Sequence, residues 1–298
     1  MIDDRLLEAI HTRLSVALAP PRGEYVALRV EGTAVGWLDR DRAARVLAFD
    51  RVFEQSGDGI VFVRALDNAL TRTDALVDVA HHLADEGLLT AWRDERYEIA
   101  TAFRGPALFE LERAAARYFG IVTYAAHVNG VVEGEDDVRM WIARRSATKS
   151  IDPGLLDNLV GGGIRARTSV RETVTRESAE EAGIDAVLAR RARPAGAVRI
   201  CRAQRDGLQR EMIYVHDLVL PPDFTPAGVD GEVMEHRLVT VDAVAALIAN
   251  AQGADVATAD ASLVIVDWLL RRGVIHPDQP YYLALAGLRW PTMQPALA

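Results

Sequence analysis

The sequence contains a single cysteine, Cys201, so the chain cannot form an intramolecular disulfide. The same scarcity excludes a cysteine-based zinc ribbon and a CxxC redox site. The opening residues 1–5 also lack the charged-then-apolar order of a signal peptide. Since a reducing compartment suits such a chain, we expect a cytoplasmic location.

Long apolar runs and an excess of positive charge are missing too. No run approaches the ~20 apolar residues that a membrane-spanning helix needs, so we expect no membrane partner. Lysine and arginine total 34 against 43 aspartate and glutamate, which gives a formal net charge of −9. Nucleic-acid affinity rests mainly on clustered cations, so we expect no nucleic-acid partner. A local basic patch would still suit a small anion.

The length of 298 residues suggests two domains at roughly 150 residues per domain. With 50% hydrophobic and 26% charged residues, the composition is that of a globular protein. We place the boundary just before Gly120, which gives an N-terminal α/β domain over 1–118 and a second domain over 119–298. Homodimer formation is left open by the sequence.

Apolar spacing and turn residues predict an alternation of strands and helices. The predicted helices cover residues 3–18, 73–86, 106–119, 169–182, 241–250 and 261–272. The predicted strands cover residues 25–30, 59–63, 95–101, 121–128, 139–144, 197–202 and 212–220, with an acidic turn at 133–137 and a hairpin turn at Asp206-Gly207. This mixed order predicts an α/β or α+β fold.

The most informative feature is a run of carboxylates on the helix predicted over 169–182. Glu177, Glu180 and Glu181 stand at i, i+3 and i+4, which places them on one face within one turn. Three like charges this close repel each other, and a divalent cation would compensate them. Mg²⁺ prefers oxygen ligands and commonly shares its shell with substrate phosphates. Arg176 can reach Glu172 or Glu180, each four residues away, and orient the carboxylates.

With the glycine triplet before it, this helix resembles the signature of the Nudix hydrolase family, G-x5-E-x7-R-E-U-x-E-E-x-G-U, where U is aliphatic. The matching positions are Gly162, Arg176, Glu177, Glu180, Glu181, Gly183 and Ile184. Thr168 stands where the family has its first glutamate, and Ser178 stands at an aliphatic position. The resemblance implies an α/β/α sandwich with a mixed sheet and Mg²⁺-dependent hydrolysis of a diphosphate, with Mn²⁺ as an alternative ion.

The same resemblance implies roles for individual residues. The metal ligands would be the three glutamates Glu177, Glu180 and Glu181 and the main-chain carbonyl of Gly162. Glu177 would act as, or assist, the general base, with Glu181 as the second catalytic carboxylate. Arg176 would orient the acidic groups.

A narrower resemblance covers most of the chain. The chain is similar to Nudix proteins that carry an N-terminal domain of their own. In fungi a similar pair of domains is fused to thiamine pyrophosphokinase. The residues that carry it lie at 92–97, 112–115, 120, 124–130, 141–146, 149, 153–158, 207–209, 214–217, 230–233 and 267–273. This implies a small-molecule diphosphate substrate, such as thiamine diphosphate or an oxidised analogue, cut to its monophosphate.

Four further residues are candidates for substrate contact. Arg144, Arg145 and Lys149 form a basic cluster in an otherwise acidic chain, and arginine offers bidentate contacts to phosphate. A surface patch that balances the acidic turn would look the same. Glu232 lies in a loop after the hairpin, where Nudix enzymes often place an extra carboxylate; an exposed loop charge is the alternative.

Two other functions stay open. Allylic diphosphate isomerisation on the same fold would need a cysteine in the pocket, and Cys201 lies on a predicted strand away from the glutamates. A non-catalytic diphosphate sensor is favoured by the departures at Thr168 and Ser178. Such a sensor would bind a diphosphate without releasing phosphate.

Overall fold

The computed structural model describes residues 2–135 and 137–295. The elements up to residue 118 are α1 Asp4–Ala17, β1 Tyr25–Val30, β2 Thr33–Asp39, α2 Arg40–Leu47, β3 Phe53–Ser56, β4 Gly59–Phe62, α3 Ala69–Asp85, β5 Arg96–Ile99, β6 Phe109–Glu112 and α4 Ala115–Tyr118. Strands β1 to β4 form a sheet in the order β2-β1-β4-β3, in which β1 and β4 are parallel. Strands β5 and β6 form a separate antiparallel pair.

The first helix packs away from this N-terminal sheet. Asp3 caps α1 by accepting a hydrogen bond from the Arg5 N–H at 2.9 Å. The buried residues Leu7, Ile10 and Leu14 lie on one face and join the core of the C-terminal part of the chain. The domain division at residue 118 stays a prediction, and this packing places α1 with the second core.

After residue 118 the chain builds a larger mixed sheet. Its elements are β7 Val122–Glu133, β8 Val138–Arg145, β9 Leu156–Asn158, β10 Val160–Gly163, α5 Val170–Ala182, α6 Ala186–Ala189, β11 Arg193–Gln204, β12 Gly207–Val219, β13 Val233–Thr240, α7 Val241–Ala249, α8 Ala259–Arg271 and α9 Tyr282–Leu288. The order is β11-β12-β7-β8-β13, with β10 paired to β7 and β9 paired to β8. Strands β7 and β12 run parallel, while the other pairs of this sheet are antiparallel.

Helices cover both faces of this sheet. Successive side chains of β7 point to opposite faces and therefore contribute to two different cores. Ala125 and Val131 face the core formed with α1, α7, α8 and α9. Ala126 and Val128 face the core beneath α5 and α6. The predicted α/β/α sandwich with a mixed sheet and a preceding small α/β unit is therefore confirmed.

One predicted helix is wrong. Residues 106–119 form strand β6 and the short helix α4 instead of one continuous helix. The apolar residues Phe109 and Leu111 alternate with glutamates, and Leu111 pairs with Tyr97 of β5. Period-two alternation fits a strand buried on one side, and this pairing outweighs local helix propensity.

Several boundaries and short elements also differ from the prediction. Helix α3 begins at Ala69 instead of Thr73, because Asn68 caps it with hydrogen bonds from the N–H groups of Leu70 and Thr71. The elements absent from the prediction are β2, α2, β3, β9, β10, α6, β13 and α9. The hairpin is confirmed, since Gln204 pairs with Gly207. Asp136 of the predicted acidic turn lies outside the described residues. Within the described ranges, no helix has the length and apolarity to cross a membrane.

Candidate active site

The helix that carries the glutamates is fixed at both ends by local chemistry. At its start, the Ser169 hydroxyl accepts the Glu172 N–H at 3.1 Å, and the Glu172 carboxylate accepts the Ser169 N–H at 2.7 Å. At its end, Gly183 has φ +64°, and an added Cβ would lie 2.6 Å from the Ala227 carbonyl oxygen. Only glycine satisfies both conditions, so the helix ends where the sequence predicts.

Two of the three glutamates point into the protein against the glycine strand β10. Glu177 and Glu181 are buried, whereas the side chain of Glu180 is 39% exposed. The N–H of Gly161 donates to Glu181 Oε2 at 2.8 Å. A Cβ on Gly162 would lie 2.1 Å from Glu177 Oε1. The N–H of Gly161 therefore holds Glu181, and the missing side chain of Gly162 lets Glu177 approach the backbone of β10.

Basic side chains compensate the acidic helix. Arg176 donates to Glu177 at 2.6 Å and to Glu180 at 2.8 Å. Glu172, the other partner considered for Arg176, is used in the helix cap. On the opposite side, Lys149 Nζ lies 3.8 Å from Glu181 Oε1 and donates a hydrogen bond to Glu232.

The electrostatics of the buried carboxylates follow from this packing. Burial raises the pKa of Glu177, and the charge of Glu180 raises it further. Burial raises the pKa of Glu181 to about 8, against the opposing effect of Lys149. For Glu232 burial also opposes ionisation, but its hydrogen bond with Lys149 and the pairing with Arg93 give a net lowering of the pKa. Glu177 and Glu181 thus lack sufficient compensating positive charge.

These residues suit a divalent cation chemically but do not form a finished cage. Across residues 2–135 and 137–295, no group of three or more acidic, histidine or cysteine side chains is arranged to hold a metal ion. Glu177 and Glu180 turn toward Arg176, and Glu181 turns toward Gly161 and Lys149. The donor set is all oxygen and partly desolvated, which fits a hard cation. Binding requires Arg176 and Lys149 to give way.

A cleft of about 760 Å³, including its open mouth, borders the glycine strand. It lies between the N-terminal part and the larger sheet. Its cationic lining residues are Arg93, Arg113, Arg117, Arg145 and Lys149. Its acidic lining residues are Asp152, Asp157, Glu211 and Asp260. Gly161, Gly162 and Gly163 form part of the wall, which places the cleft beside the glutamate helix.

The structure divides the basic cluster predicted from sequence. Arg145 lines the cleft and donates to Asp157 at 2.7 Å. Lys149 also lines it and contacts Glu232, so these residues lie together. Arg144 is instead bound to Asp255, to Glu235 and to the carbonyls of residues 154 and 254, and it does not line the cleft.

The two departures from the family signature have different structural surroundings. Thr168 lies in the turn before α5, where its hydroxyl donates to the Arg165 carbonyl at 2.6 Å. Ser178 is fully buried, and its hydroxyl has no hydrogen-bond partner within the described part of the chain. Neither residue contacts Glu177, Glu180 or Glu181 through a side-chain hydrogen bond among the described residues.

A chain of buried hydrogen bonds begins at His127, which lines the cleft. His127 Nδ1 lies 2.8 Å from Asn158 Oδ1, and Asn158 Nδ2 donates to Asn129 Oδ1 at 3.0 Å. Asn129 then donates to Asp217 at 3.1 Å, and Arg271 donates to the same carboxylate. His127 and Asn129 share one face of β7, as their spacing predicts, and both are hydrogen-bonded.

Sequence reasoning assigned no site role to the N-terminal arginines or to Asp260. Arg93, Arg113 and Arg117 lie in residues 1–118, which the sequence predicts to be a separate N-terminal domain, so no local pattern links them to the glutamate helix. One signal was available: Arg93 and Arg113 lie in the stretches 92–97 and 112–115 that carry the narrower resemblance.

We expect Gly162→Ala to reduce turnover at least about tenfold, because the added Cβ displaces the Glu177 side chain. Steady-state kinetics on a diphosphate substrate would measure the loss. Gly287→Ala is the control, since its Cβ meets nothing within 4 Å. Equal kinetics for both variants would show that Glu177 need not sit against the glycine strand.

Comparison with known proteins gives matches to both parts of the chain. A domain of unknown function, DUF4743, matches residues 11–123, and the NUDIX domain matches residues 123–260. Nudix hydrolase 24, chloroplastic, from Arabidopsis thaliana is 38% identical over 265 residues, which cover 88% of this chain and 72% of that protein. Nudix hydrolase 20, chloroplastic, from the same plant is 37% identical over 272 residues, with the same coverage of 88% and 72%.

Among solved structures, DR0079 from Deinococcus radiodurans has a TM-score of 0.44 and 20% identity, and the match covers 57% of this chain and 97% of that one. That match is too distant to bear on function. The two plant relatives match along most of this chain, including the glutamate helix and the N-terminal part. The chain therefore belongs to the Nudix hydrolase family, whose members act on diphosphate-containing substrates.

Proposed function

We propose that this Nudix hydrolase is Mg²⁺-dependent, with Mn²⁺ as an alternative ion, and cleaves the anhydride of a small organic diphosphate. The observation that carries the proposal is the burial of Glu177 and Glu181 against the glycine strand, beside a cation-lined cleft. Two buried carboxylates with raised pKa values would gain most from a divalent cation.

The residues that would hold the ion are Glu177, Glu180, Glu181 and the carbonyl of Gly162. When bound, the ion would neutralise phosphate charge and make water a stronger nucleophile. In the ion-free site Arg176 orients Glu177 and Glu180, and Gly161 holds Glu181 through its N–H. The ion would take the place of the Arg176 contacts. Glu177 would accept the proton of the attacking water. The water oxygen forms a bond to phosphorus, the anhydride P–O bond breaks, and a monophosphate and inorganic phosphate are released.

For the substrate we propose thiamine diphosphate or an oxidised analogue, converted to the monophosphate. The similarity to the Nudix part fused to thiamine pyrophosphokinase supports this choice. Asp152, Glu211 and Asp260 line the cleft and offer acceptors to a donor-bearing, cationic heterocycle.

A ligand sensor is the second candidate. Arg176 and Lys149 engage the carboxylates that a metal would use, and this arrangement would also suit a protein that binds without cleaving. The isomerase alternative has less support, because Cys201 is buried on β11 and is not among the cleft-lining residues. Burial also raises the pKa of its thiol.

The test is phosphate release with Mg²⁺ or Mn²⁺ from a panel of diphosphates. The panel contains thiamine diphosphate, its oxidised analogues, ADP-ribose, NADH, dinucleoside polyphosphates and nucleoside triphosphates. We expect selective turnover of the thiamine compounds, with losses on the order of 10³-fold in Glu177→Gln and Glu181→Gln. Glu172→Gln, on the same helix but engaged in its cap, is the matched control.

Each outcome separates the candidates. Turnover of another diphosphate would keep the hydrolase and reject thiamine. Full activity in the Glu177, Glu180 and Glu181 variants would reject the proposed site. A folded protein that binds a panel compound but releases no phosphate would be a sensor.

A further inference from the structure

We propose that the N-terminal part, matched to a domain of unknown function, supplies the anion-binding wall of the substrate site through Arg117 and Arg113. This inference rests on the proposed function, since it assigns the residues that would hold the diphosphate oxygens. It gives the N-terminal part a direct role in substrate recognition.

Arg117 has the position and the unused donors for this role. In the short helix α4, Ala115, Ala116 and Tyr118 are buried, and Arg117 is the side chain that lines the cleft. Among the described residues, its guanidinium makes no hydrogen bond and has one ion-pair contact, 3.6 Å from Asp206. Its donors can therefore meet an incoming phosphate in bidentate geometry.

Arg113 is a second cation on the same wall, and its orientation is fixed. It donates to Glu95 at 3.0 Å, and its guanidinium lies 6.0 Å from the centre of the Tyr97 ring. Arg113 lines the cleft and uses one N–H group in that hydrogen bond, which leaves donors for an anion. A cation already held in place loses little conformational entropy on binding an anion.

The wall of the cleft that the larger domain forms cannot provide the positive charge for a diphosphate by itself. Its cations are already engaged: Arg145 pairs with Asp157, and Lys149 pairs with Glu232. The acidic lining residues, all from the larger domain, are Asp152, Asp157, Glu211 and Asp260. A diphosphate would meet net negative charge there, so the N-terminal arginines decide whether the cleft attracts or repels it.

The experiment measures binding of inorganic pyrophosphate to the full chain in EDTA by isothermal titration calorimetry. We expect Arg117→Gln to weaken binding about tenfold, which corresponds to about 1.4 kcal/mol. Arg117→Lys should restore part of the loss. With the metal-loaded enzyme, Arg117→Gln should raise KM about tenfold and change kcat by less than about threefold.

Two controls separate anion binding from a structural role. Asp206→Asn removes the partner of Arg117 but keeps the cation, so pyrophosphate binding should stay equal or tighten. If Arg117 served only to pair with Asp206, both variants would behave alike. Arg64→Gln removes an exposed N-terminal arginine outside the cleft and should leave binding unchanged.

Unchanged pyrophosphate affinity in a folded Arg117→Gln variant would overturn the proposal, as would the absence of pyrophosphate binding to the unaltered protein. Thermal melts verify that each variant is folded. If Glu181→Gln loses turnover while Arg117→Gln keeps its KM, the hydrolase assignment stands and the wall assignment fails. If binding weakens in Arg117→Gln but no panel compound is cleaved, the anion site stands and the hydrolase proposal fails.

Discussion

Glu181→Gln is expected to make the metal-free protein more stable at alkaline pH. Burial raises the pKa of Glu181 from 4.5 to about 8 in the folded chain, so ionisation is harder when folded than when unfolded. The stability that the neutral acid confers is complete below pH 4.5 and is lost as the pH rises through about 8. The unaltered protein should therefore lose up to about 5 kcal/mol of unfolding free energy across this window. Glutamine removes that loss.

Urea denaturation in EDTA between pH 5 and pH 9 would measure the difference. Glu172→Gln, on the same helix but exposed and engaged in its cap, is the control and should keep the slope of the unaltered protein. Mg²⁺ should stabilise the unaltered protein at pH 8 and have little effect on Glu181→Gln. Parallel pH profiles for the Glu181 variant and the unaltered protein would contradict this account.

Asn158→Ala is expected to lower the free energy of unfolding by about 3 kcal/mol at neutral pH. Asn158 is 1% exposed, and its amide joins His127 to Asn129. Removal of this amide leaves two buried polar groups without their partner, which costs more than the net value of the lost hydrogen bonds. Urea midpoints at constant m-value would give the change.

Asn250→Ala is the matched control. That side chain is partly buried, donates to the Asp255 carbonyl and accepts an exposed hydrogen bond from the Gln252 N–H, which water can replace. Its loss should therefore cost about 1 kcal/mol. In a double-mutant cycle, Asn129→Ala should cost less once Asn158 is absent, because the two share a hydrogen bond. Additive losses would show that the series of hydrogen bonds that links His127, Asn158, Asn129 and Asp217 does not act as a unit.

Local signals in the sequence determined the glutamate helix and its surroundings. Ser169 with Glu172 and Gly183 define the two ends of α5 through bonds and dihedral angles that involve only near neighbours. The spacing of Glu177, Glu180 and Glu181 requires only the helical repeat to place them together. The strands that became β7, β8, β11 and β12 were predictable for the same reason, since alternation and a turn glycine are local properties.

The partition of the basic residues was decided by tertiary structure. Arg144 and Arg145 are adjacent in sequence, yet opposite pleats of β8 send Arg144 to Asp255 and Arg145 to the cleft. Residues 106–119 likewise became a strand and a short helix because β5 offered a partner. Such choices depend on contacts between distant segments, and no local pattern contains them.

The sequence by itself thus determined the helix that carries Glu177, Glu180 and Glu181 and their spacing on it. Tertiary structure alone decided that Arg93, Arg113 and Arg117 face the same cleft as Lys149, and that burial raises the pKa of Glu181. The ion pair between Arg93 and Glu232 joins residues 139 positions apart. Helical periodicity and capping are properties of neighbouring residues, whereas desolvation and ion pairing arise only when the two parts of the chain pack together.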